Sequence, residues 1–402
     1  MKKILIWDFY ISNKNVGGPA GYLYNIRTYI KQNNISNIIF LNDILKRNLP
    51  ENSPKGKIRK FIKHIDIFRF SDLRTAFHLA KQWKRQIDKN ILNKIDLNEF
   101  DIIHFHESTH VLSALNILKG YRGKIVLTTH SPQPLSYEIA DVIPPFYKIT
   151  SLILKKWMLK QELLAWNKVD YLMFPVPTAI EPYLVEPKME AYIKCHPQKL
   201  IYCPSSILSQ DIKPLDEKQK KEINFDENKF NIVYIGRHNE VKGYAFLKEV
   251  GSQILEKYDD VVFYIAGREY PLKGIRHPSW KELGWVKNGS QIMATSDLFI
   301  LPNRETYFDL VALEVLRAGT PLALSKTGGN KYFQSLSSTD IEGLFFFEYG
   351  SDDELINIVE KLRIEKEQKK TKKYHDKNKA LFNKYFTSKS FIERYINLIY
   401  NL

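Results

Sequence analysis

The chain has 402 residues, which is enough for two domains with full hydrophobic cores. Its hydrophobic share of 44% and its alternating strand and helix patterns predict a folded α/β protein and exclude a disordered chain. The formal charge of +15 favours an anionic partner: nucleotide phosphates, acidic lipid or nucleic acid. We expect no nucleic-acid binding, because the aromatic residues form no RNA-recognition signature and the charge has a membrane explanation.

The two cysteines, Cys195 and Cys203, are too few for a disulfide framework, so a reducing compartment is the default expectation. Lys2 and Lys3 precede an apolar run, but Asp8 interrupts it too early for a secretory signal. No stretch approaches the roughly 18 consecutive apolar residues of a membrane-spanning helix. We therefore expect a cytoplasmic protein, with the inner face of the cell membrane as a candidate location.

The first half of the chain alternates apolar strands with polar strand ends. Residues 3–11 are predicted as a buried strand that runs into Gly17 and Gly18, and a helix begins near Pro19. Such a turn lets backbone amides approach a phosphate or a sugar, although most glycine pairs are only turns. Further strands are predicted at 101–106, 124–129, 169–174 and 200–203, with a short helix at 177–184.

The region from residue 46 to residue 89 is unusually basic and contains two helical patterns. The apolar residues of these patterns are Ile58, Phe61, Ile62, Ile65 and Phe68 in the first, and Leu73, Ala76, Phe77, Ala80 and Ile87 in the second. One interpretation is a pair of domain helices with solvated basic faces. A compatible interpretation adds docking on an anionic membrane, worth on the order of 1 kcal/mol per well-placed basic residue. Residues 144–160, which are aromatic and basic, could extend that surface.

A zinc-hydrolase pattern, H-E-x-x-H, is formed by His106, Glu107 and His110. That chemistry requires both histidines on one continuous helix. Here His106 ends the predicted strand, and Glu107 belongs to the turn into the next helix. The context argues against a zinc site, and a zinc hydrolase remains only a minor alternative.

A polar segment at 209–229 is predicted as an interdomain linker. The next strand, 230–235, runs into the sequence GRHNEVKG, which contains Arg237 and Lys242. At a strand-to-helix crossing, two cations and a helix N-terminus can surround one diphosphate, and an ordinary basic turn is the alternative. Further strands are predicted at 261–266 and 283–286.

The stretch from 296 to 331 predicts a strand at 296–301, a helix at 310–318, a strand at 320–325 and a turn at Gly328 and Gly329. Ligands of open parallel sheets bind beyond the carboxyl ends of the strands, so the loop after 301 should line a cleft. Glu314 is isolated within the apolar segment LVALEVL. Its carboxylate either pairs with Arg317 at the surface or finds hydrogen-bond donors. A strand at 343–347 and helices at 365–379 and 386–400 complete the prediction.

In order along the chain, these blocks resemble family-4 glycosyltransferases of the GT-B fold, most specifically through GRHNEVKG and TYFDLVALE. The resemblance implies that Arg237 and Lys242 bind the diphosphate of a nucleotide-sugar together with amides from Phe308 to Leu310. It implies that Glu314 binds the ribose.

Three further site predictions depend on the same resemblance. The loop at Gly17 and Gly18 resembles the family's glycine-rich acceptor and donor loop. His130, at the end of the strand KIVLTTH, matches the family's active-site histidine, a neutral imidazole that would hydrogen-bond the donor sugar; without the resemblance, a loop histidine bonded to backbone is the alternative. Main chain near Val286 would contact the base.

The acidic motif departs from the family pattern in two places. The family usually has seven residues between its two glutamates, whereas Glu305 and Glu314 have eight between them and Thr306 stands in the expected register. Either Glu305 reaches the sugar through a one-residue bulge, or Thr306 makes the contact. Asp309 replaces the usual glycine, and it would repel phosphate unless it caps the helix or bonds a sugar hydroxyl.

The implied fold class is α/β of the GT-B type: Rossmann-like parallel-sheet domains at 1–205 and 206–385 facing a central cleft, with a C-terminal helix at 386–402 crossing back to the first. The implied activity is transfer of a hexose from a nucleotide-sugar with retention of anomeric configuration. A UDP-sugar is the expected donor. The acceptor would be a glycan, a lipid-linked sugar or a protein in cell-surface polysaccharide synthesis. No D-x-D occurs, so we expect no metal and no other cofactor. A noncatalytic GT-B partner of an acceptor or of another glycosyltransferase is the second hypothesis.

Overall fold

The structure is a computed structural model, and it describes residues 2–8, 18–45, 70–84, 86–87, 94–140, 143 and 147–402. Contacts divide the chain into two compact units. The first unit comprises Met1–Phe174, Glu181–Cys203 and Arg394–Leu402, and the second comprises Pro175–Ile180 and Pro204–Glu393. Each unit contains a six-stranded sheet in the described ranges, and every strand pairing in both sheets is parallel.

The sheet of the first unit has the strand order β2-β1-β3-β4-β5-β6. Its strands are β1 (Ile4–Trp7), β2 (Ile38–Phe40), β3 (Ile102–Phe105), β4 (Lys124–Leu127), β5 (Tyr171–Phe174) and β6 (Leu200–Tyr202). All four residues of β1 and of β3 are buried, because helices cover both faces of a parallel sheet. The chain places β2 on one side of β1 and β3 on the other, so the direction in which strands are added to the sheet reverses between β1 and β3.

Seven helices of this unit lie in the described ranges. They are α1 (Gly18–Gln32), α2 (Leu41–Ile44), α3 (Phe70–Gln82), α4 (Ser108–Ala114), α5 (Leu135–Ala140), α6 (Lys148–Asn167) and α7 (Pro187–Cys195). Short 3-10 helices occur at Leu97–Glu99 and Pro197–Lys199, and a third at Pro177–Tyr183 occupies the position of the predicted helix 177–184.

The sheet of the second unit has the strand order β12-β11-β10-β7-β8-β9. Its strands are β7 (Phe230–Ile235), β8 (Val261–Ala266), β9 (Trp280–Gly284), β10 (Leu298–Leu301), β11 (Leu322–Ser325) and β12 (Leu344–Phe347). β7 and β10 are neighbours, paired at Ile232 and Leu298, although β8 and β9 separate them in sequence. This pair is the topological switch point of the sheet, where ligands of such sheets bind.

The helices after α7 are α8 (Glu217–Glu222), α9 (Tyr244–Lys257), α10 (Gly289–Thr295), α11 (Leu310–Ala318), α12 (Asp352–Glu367), α13 (Lys372–Tyr385) and α14 (Ser388–Tyr400). A 3-10 helix at Gly328–Ser335 follows β11. Helix α11 has the predicted bounds because Asp309 caps its start and Gly319, with φ of 86°, ends it. The last residues of the chain, from Arg394, belong to the first unit.

Three sequence predictions are wrong in detail. The strand predicted at 283–286 is β9, which ends at Gly284 because that residue has φ of 66°. The single helix predicted at 365–379 is two helices, α12 and α13, separated at Lys369 with φ of 56°. The predicted linker 209–229 contains α8, which begins with a capping box formed by Asp216 and Gln219.

Some predictions concern residues outside the described ranges. These are residues 9–11 of the first predicted strand, Gly17, residues 46–69 with the first helical pattern of the basic region, residues 85, 88 and 89, and residues 144–146 of the aromatic and basic stretch. Of that region the structure describes α3 and a few residues after it. In the described part of the chain, no helix has both the length and the apolar character to cross a bilayer.

Candidate functional site

The loops that follow β7 and β10 are in direct backbone contact. Gly243 has φ of 65°, and a Cβ atom there would lie 1.7 Å from the carbonyl oxygen of Pro302. The amides of Arg304 and Glu305 both donate to the carbonyl oxygen of Val241, at 3.0 and 3.3 Å. The GRHNEVKG loop and the acidic loop therefore form one surface at the switch point.

Lys242 and Asp309 form an ion pair across this surface. Asn303, which is completely buried, donates from Nδ2 to the same Asp309 carboxylate at 3.0 Å. The other Asp309 oxygen accepts from the backbone amide of Val311 at 3.4 Å and so caps α11. Burial alone would raise the pKa of Asp309, but the charge of Lys242 and these hydrogen bonds hold it below its usual value. Asp309 is thus an ionised cap that neutralises Lys242.

Arg237 differs from Lys242 in having no counter-ion. Its side chain is exposed and has no hydrogen bond or ion pair to any described residue. Its backbone is fixed, because the Tyr234 hydroxyl donates to the Arg237 carbonyl oxygen at 2.8 Å. The next residue, His238, is completely buried and stacks on Tyr244 with ring centroids 3.9 Å apart. The guanidinium is therefore an uncompensated cation on an anchored loop.

Glu314 lies on α11, half-buried, and no described residue bonds its carboxylate. The surface pair with Arg317 does not form, because that guanidinium donates to the Leu208 carbonyl at 3.0 Å and to Ser290 Oγ at 3.3 Å. Burial raises the pKa of Glu314, and the charge of Arg317 only partly opposes it. A half-buried carboxylate without donors has unused capacity to accept hydrogen bonds from a ligand's hydroxyl groups.

The structure separates the two candidates for the first acidic position. The Glu305 side chain is 30% exposed and pairs with Arg304 at 3.1 Å. Thr306 is only 3% exposed, and its carbonyl oxygen accepts from the Gly329 amide at 3.1 Å. A Cβ atom at Gly328 would lie 2.2 Å from that same oxygen, so the turn after β11 presses directly on Thr306. Of the two side chains, only Glu305 can reach a ligand without rearrangement of the loop.

Phe308 can contribute only its backbone to a site. Its ring is 6% exposed and stacks on Phe333 at 5.5 Å, in a cluster that also includes Phe386. This packing positions the start of α11 at Leu310, whose amide begins the helix. Val286 lies after the end of β9 and is half-buried, next to Trp285, whose side chain is 78% exposed.

In the first unit, His130 belongs to a chain of three histidines at the ends of β3 and β4. His130 Nε2 lies 2.8 Å from His106 Nδ1, and the rings stack at 5.1 Å. The rings of His106 and His104 are 4.2 Å apart. His104 in turn bonds the Tyr395 hydroxyl and Thr128 Oγ1, both at 2.8 Å. His130 has φ of 55°, a conformation rare for residues other than glycine and concentrated at functional sites.

All three imidazoles are neutral. Burial lowers the pKa of His104 and of His130 to about 3, with the charge of His130 adding to the effect at His104. Burial lowers the pKa of His106 as well, and the neighbouring histidines add to this. Protonation of any of them would bury a positive charge, which desolvation disfavours.

The hydrogen bonding assigns the tautomers of the His106–His130 pair. His106 Nε2 is buried without a partner. A buried orphan N–H is rarer than an unused acceptor, so His106 carries its proton on Nδ1 and donates it to His130 Nε2. His130 must then carry its own proton on Nδ1, which has no partner among the described residues. It is a neutral hydrogen-bond donor with a fixed direction.

The zinc-hydrolase interpretation fails on its geometry. His106 follows β3 directly, and α4 begins only at Ser108, so the two histidines do not share a helix. In the part of the chain that the structure describes, no group of three or more His, Cys, Asp or Glu residues is arranged to hold a metal.

No sequence pattern assigned a role to Asn303 or to the His106–His130 contact. The Asn303 carbonyl accepts from Ser325 Oγ at 2.6 Å and from Thr327 Oγ1 at 2.9 Å, so this residue joins the loop after β10 to the end of β11 and the turn that follows it. A polar residue at the end of a buried strand was the only signal. Gly18, the described member of the glycine pair, begins α1 with φ of 55°.

The two parallel sheets with their helices define the GT-B fold, a class shared with solved structures over the whole chain. Sucrose-phosphate synthase from Thermosynechococcus elongatus aligns with a TM-score of 0.63 and 13% identity, covering 100% of this chain and 99% of that one. Anabaena Alr3699/HepE in complex with UDP-glucose aligns with a TM-score of 0.60 and 17% identity, covering 100% of both.

Sequence comparison places a more specific match within the second unit. Residues 229–363 match the family model described as Glycosyl transferases group 1. An uncharacterized 41.2 kDa protein in the cps region of Klebsiella pneumoniae is 26% identical over 247 residues, which are 58% of this chain and 62% of that protein. An Escherichia coli UDP-Gal:alpha-D-GlcNAc-diphosphoundecaprenol alpha-1,3-galactosyltransferase is 24% identical over 177 residues, or 40% of this chain and 45% of that enzyme. These matches span less than two thirds of the relatives' lengths.

Proposed function

We propose that this protein is a glycosyltransferase that moves a sugar from a nucleotide-sugar to a glycan, lipid-linked or protein acceptor. One observation carries the proposal. An anchored, uncompensated cation, Arg237, and an unpartnered, half-buried carboxylate, Glu314, both follow the central strand pair of a sheet whose residues match the group 1 glycosyltransferase model. A cation for phosphate and an acceptor for ribose hydroxyls are what a nucleotide-sugar requires.

The main catalytic task in such a transfer is to stabilise the negative charge on the departing nucleoside diphosphate. Arg237 is suited to this because its charge is not neutralised by the protein. Lys242 contributes less net charge, because Asp309 already neutralises it. The amides at the start of α11 add partial positive charge on the same side of the sheet. Glu305 is the side chain of the acidic loop that we assign to the transferred sugar.

In the first unit we assign a role to His130. As a neutral donor with its proton on Nδ1, it would hydrogen-bond an oxygen of the donor sugar, and it cannot act as a cationic acid. We expect retention of anomeric configuration and no metal requirement. Gly18 and the main chain near Val286 remain proposed contacts.

The donor class and acceptor class are supported by relatives. HepE was solved in complex with UDP-glucose, and the Escherichia coli relative uses UDP-Gal and a diphosphoundecaprenol-linked acceptor. We therefore propose a UDP-hexose donor and a lipid-linked acceptor in cell-surface glycan synthesis, at the cytoplasmic face of the membrane.

The test is a ligand-induced melting shift across UDP-, GDP-, dTDP- and ADP-sugars, followed by turnover of the best donor. We expect a UDP-sugar to give the largest shift. Arg237→Ala should greatly reduce the shift, and Arg276→Ala, which removes another exposed arginine of the second unit, should keep it. No shift with any nucleotide-sugar would overturn the proposal.

The noncatalytic alternative is favoured by one observation, the neutralisation of Lys242 by Asp309, which weakens a diphosphate site. It predicts that the chain binds an acceptor glycan without hydrolysing or transferring any nucleotide-sugar. Release of UDP from UDP-sugar that depends on Glu305 and His130 would exclude it.

A further inference from the structure

Helix α6 of the first unit exposes a row of large aliphatic side chains. Ile149, Leu152 and Ile153 are 75%, 56% and 66% exposed, and their spacing of three and four residues places them on one face. Isolated exposed apolar residues are ordinary, but three branched side chains in adjacent positions form a patch that marks an interaction surface.

The patch continues into a groove between α3 and α6 with a volume of about 430 Å³. The groove is lined mainly by Phe77, Ala80, Lys84, Ile153, Leu154 and Trp157. Phe77 was expected on an apolar face with Ala76 and Ala80, but it is 48% exposed while both alanines are buried. One apolar side chain of α3, Phe77, therefore lines the groove and is not part of the core.

The surroundings of the groove are basic. Lys148, Lys156 and Lys160 are exposed on α6, and Lys156 and Lys160 continue the stripe of the aliphatic patch by one and two further turns. On α3 and directly after it, Lys81 and Lys84 are exposed, and Lys84 Nζ lies 5.4 Å from the Trp157 ring centroid. The one acidic residue of α6, Glu162, is completely buried and binds the amides of Leu135 and Ser136.

We propose that this α3–α6 surface docks on an anionic phospholipid membrane, with Ile149, Leu152 and Ile153 inserted among the acyl chains. Aliphatic side chains penetrate the headgroup region while flanking lysines extend to the phosphates. Each well-placed lysine adds electrostatic attraction to an anionic leaflet. The groove is apolar at its floor and cationic at its rim, which matches an acyl chain beneath an anionic headgroup.

A second copy of the chain does not fit the same surface, because an isologous contact would bring the lysine clusters of both copies together. An acidic protein would complement the lysines, but it leaves unexplained why the aliphatic side chains project outward beyond the groove. The inference goes beyond the proposed sugar transfer, since membrane binding can be measured whether or not the chain transfers sugar.

The experiment is flotation of the full chain with vesicles of phosphatidylcholine alone and of phosphatidylcholine mixed with phosphatidylglycerol. We expect binding to the anionic vesicles, little binding to the neutral ones, and a decrease as salt rises. The test variant is Leu152→Glu with Ile153→Glu, and a second variant is Lys156→Glu with Lys160→Glu. The matched control is Val185→Glu with Lys188→Glu, which changes a 70% exposed valine and an exposed lysine of the same unit.

Each test variant should lower vesicle affinity at least about tenfold, and the control should lower it less than about threefold. Unchanged melting temperatures would confirm that the variants fold. Binding that ignores phosphatidylglycerol, or equal losses in the control, would overturn the proposal. Failure of the parent chain to bind any vesicle would also overturn it. Concentration-dependent dimers that dissociate in the Leu152→Glu, Ile153→Glu variant would overturn it as well, because the patch would then be a contact between copies.

Discussion

His106 donates a hydrogen bond from Nδ1 to Nε2 of His130 and thereby fixes the tautomer of a residue that can then donate from Nδ1. His106 touches no ligand in this assignment and acts only as a positioning residue. The three histidines at the ends of β3 and β4 are therefore a structural unit, and not a metal site or a set of independent bases.

We expect His106→Phe to lower kcat by at least about tenfold and to change the KM for the donor little, since a lost hydrogen bond costs about 1–2 kcal/mol. His106→Asn should recover most of the rate, because the asparagine amide can donate from a position close to Nδ1. Steady-state kinetics of both variants check this prediction. Equal losses in both would show that the ring, and not its donor, is what matters.

The two cations of the GRHNEVKG loop should have unequal effects on nucleotide binding. Arg237→Ala should weaken UDP binding by roughly 10- to 100-fold, the cost of one charge-assisted hydrogen bond. Lys242→Ala should weaken it less, because Asp309 already neutralises that lysine. The same variant should lower the free energy of unfolding by about 3 kcal/mol, since it leaves the largely buried Asp309 carboxylate without its counter-ion. Calorimetric titration and chemical denaturation measure the two effects, and Lys372→Ala, an exposed lysine of the same unit, is the control. The reverse order of affinities would contradict the assignment.

Asp309→Asn should tighten UDP binding several-fold. Removal of one negative charge near the phosphates is worth on the order of 1 kcal/mol at the effective dielectric of a protein surface. Asparagine is an equally good N-cap, so α11 should still begin at Leu310. The measurement is the Kd for UDP at low and moderate salt. Weaker binding would mean that Asp309 is needed to aim Lys242 at the phosphates.

Glu305 and Thr306 can be separated by two nearly isosteric substitutions. Glu305→Gln should lower kcat by about 100-fold or more if its carboxylate contacts the transferred sugar, as electrostatic groups at reacting centres do. Thr306→Val keeps the shape of a side chain that is only 3% exposed, so activity should remain within about threefold. Turnover of the preferred UDP-sugar measures both. Loss of activity only in Thr306→Val would reverse the assignment.

The stability of the chain should fall steeply below pH 6.5. His104 and His130 have pKa values of about 3 in the folded state against a usual value of 6.5. Between these values the histidine is protonated in the unfolded chain and neutral in the folded chain. The free energy of unfolding therefore falls by about 1.4 kcal/mol for each such histidine with every unit by which the pH decreases. His106 adds to this in the same direction.

Glu162 has the opposite effect, because burial raises its pKa to about 7, so that its stabilising contribution is lost as the pH rises through 7. Denaturation between pH 5 and 8 measures the net slope. His106→Asn should reduce the acid-side slope by about one proton. A pH-independent free energy of unfolding over this range would contradict the neutral histidine chain.

Most of the fold was predictable because parallel strands are continuous apolar runs. β7 and β8 have the predicted bounds, and β10, β11 and β12 differ from them by one or two residues at their N-terminal ends. One error came from a backbone conformation that residue type does not reveal. Lys369 has a positive φ although lysine seldom does, so one predicted helix became two.

The site was harder to predict than the fold. The sequence places Lys242 and Asp309 67 positions apart, and no local pattern shows that they are ion-paired. The bond between His106 and His130 likewise depends on the register of β3 and β4. The apolar pattern through Phe77 did not distinguish a side chain facing the core from one facing a groove, because its periodicity is the same in both cases.

The close approach of Gly243 to Pro302 limits how donor preference could be redesigned. Any side chain at position 243 would collide with the neighbouring loop, and a change in either loop displaces the other. A chimera that takes only the Gly243 loop or only the Pro302 loop from another transferase should fail to pack the two loops correctly. A change of donor preference would require both loops to be replaced together, with sequences taken from the same enzyme.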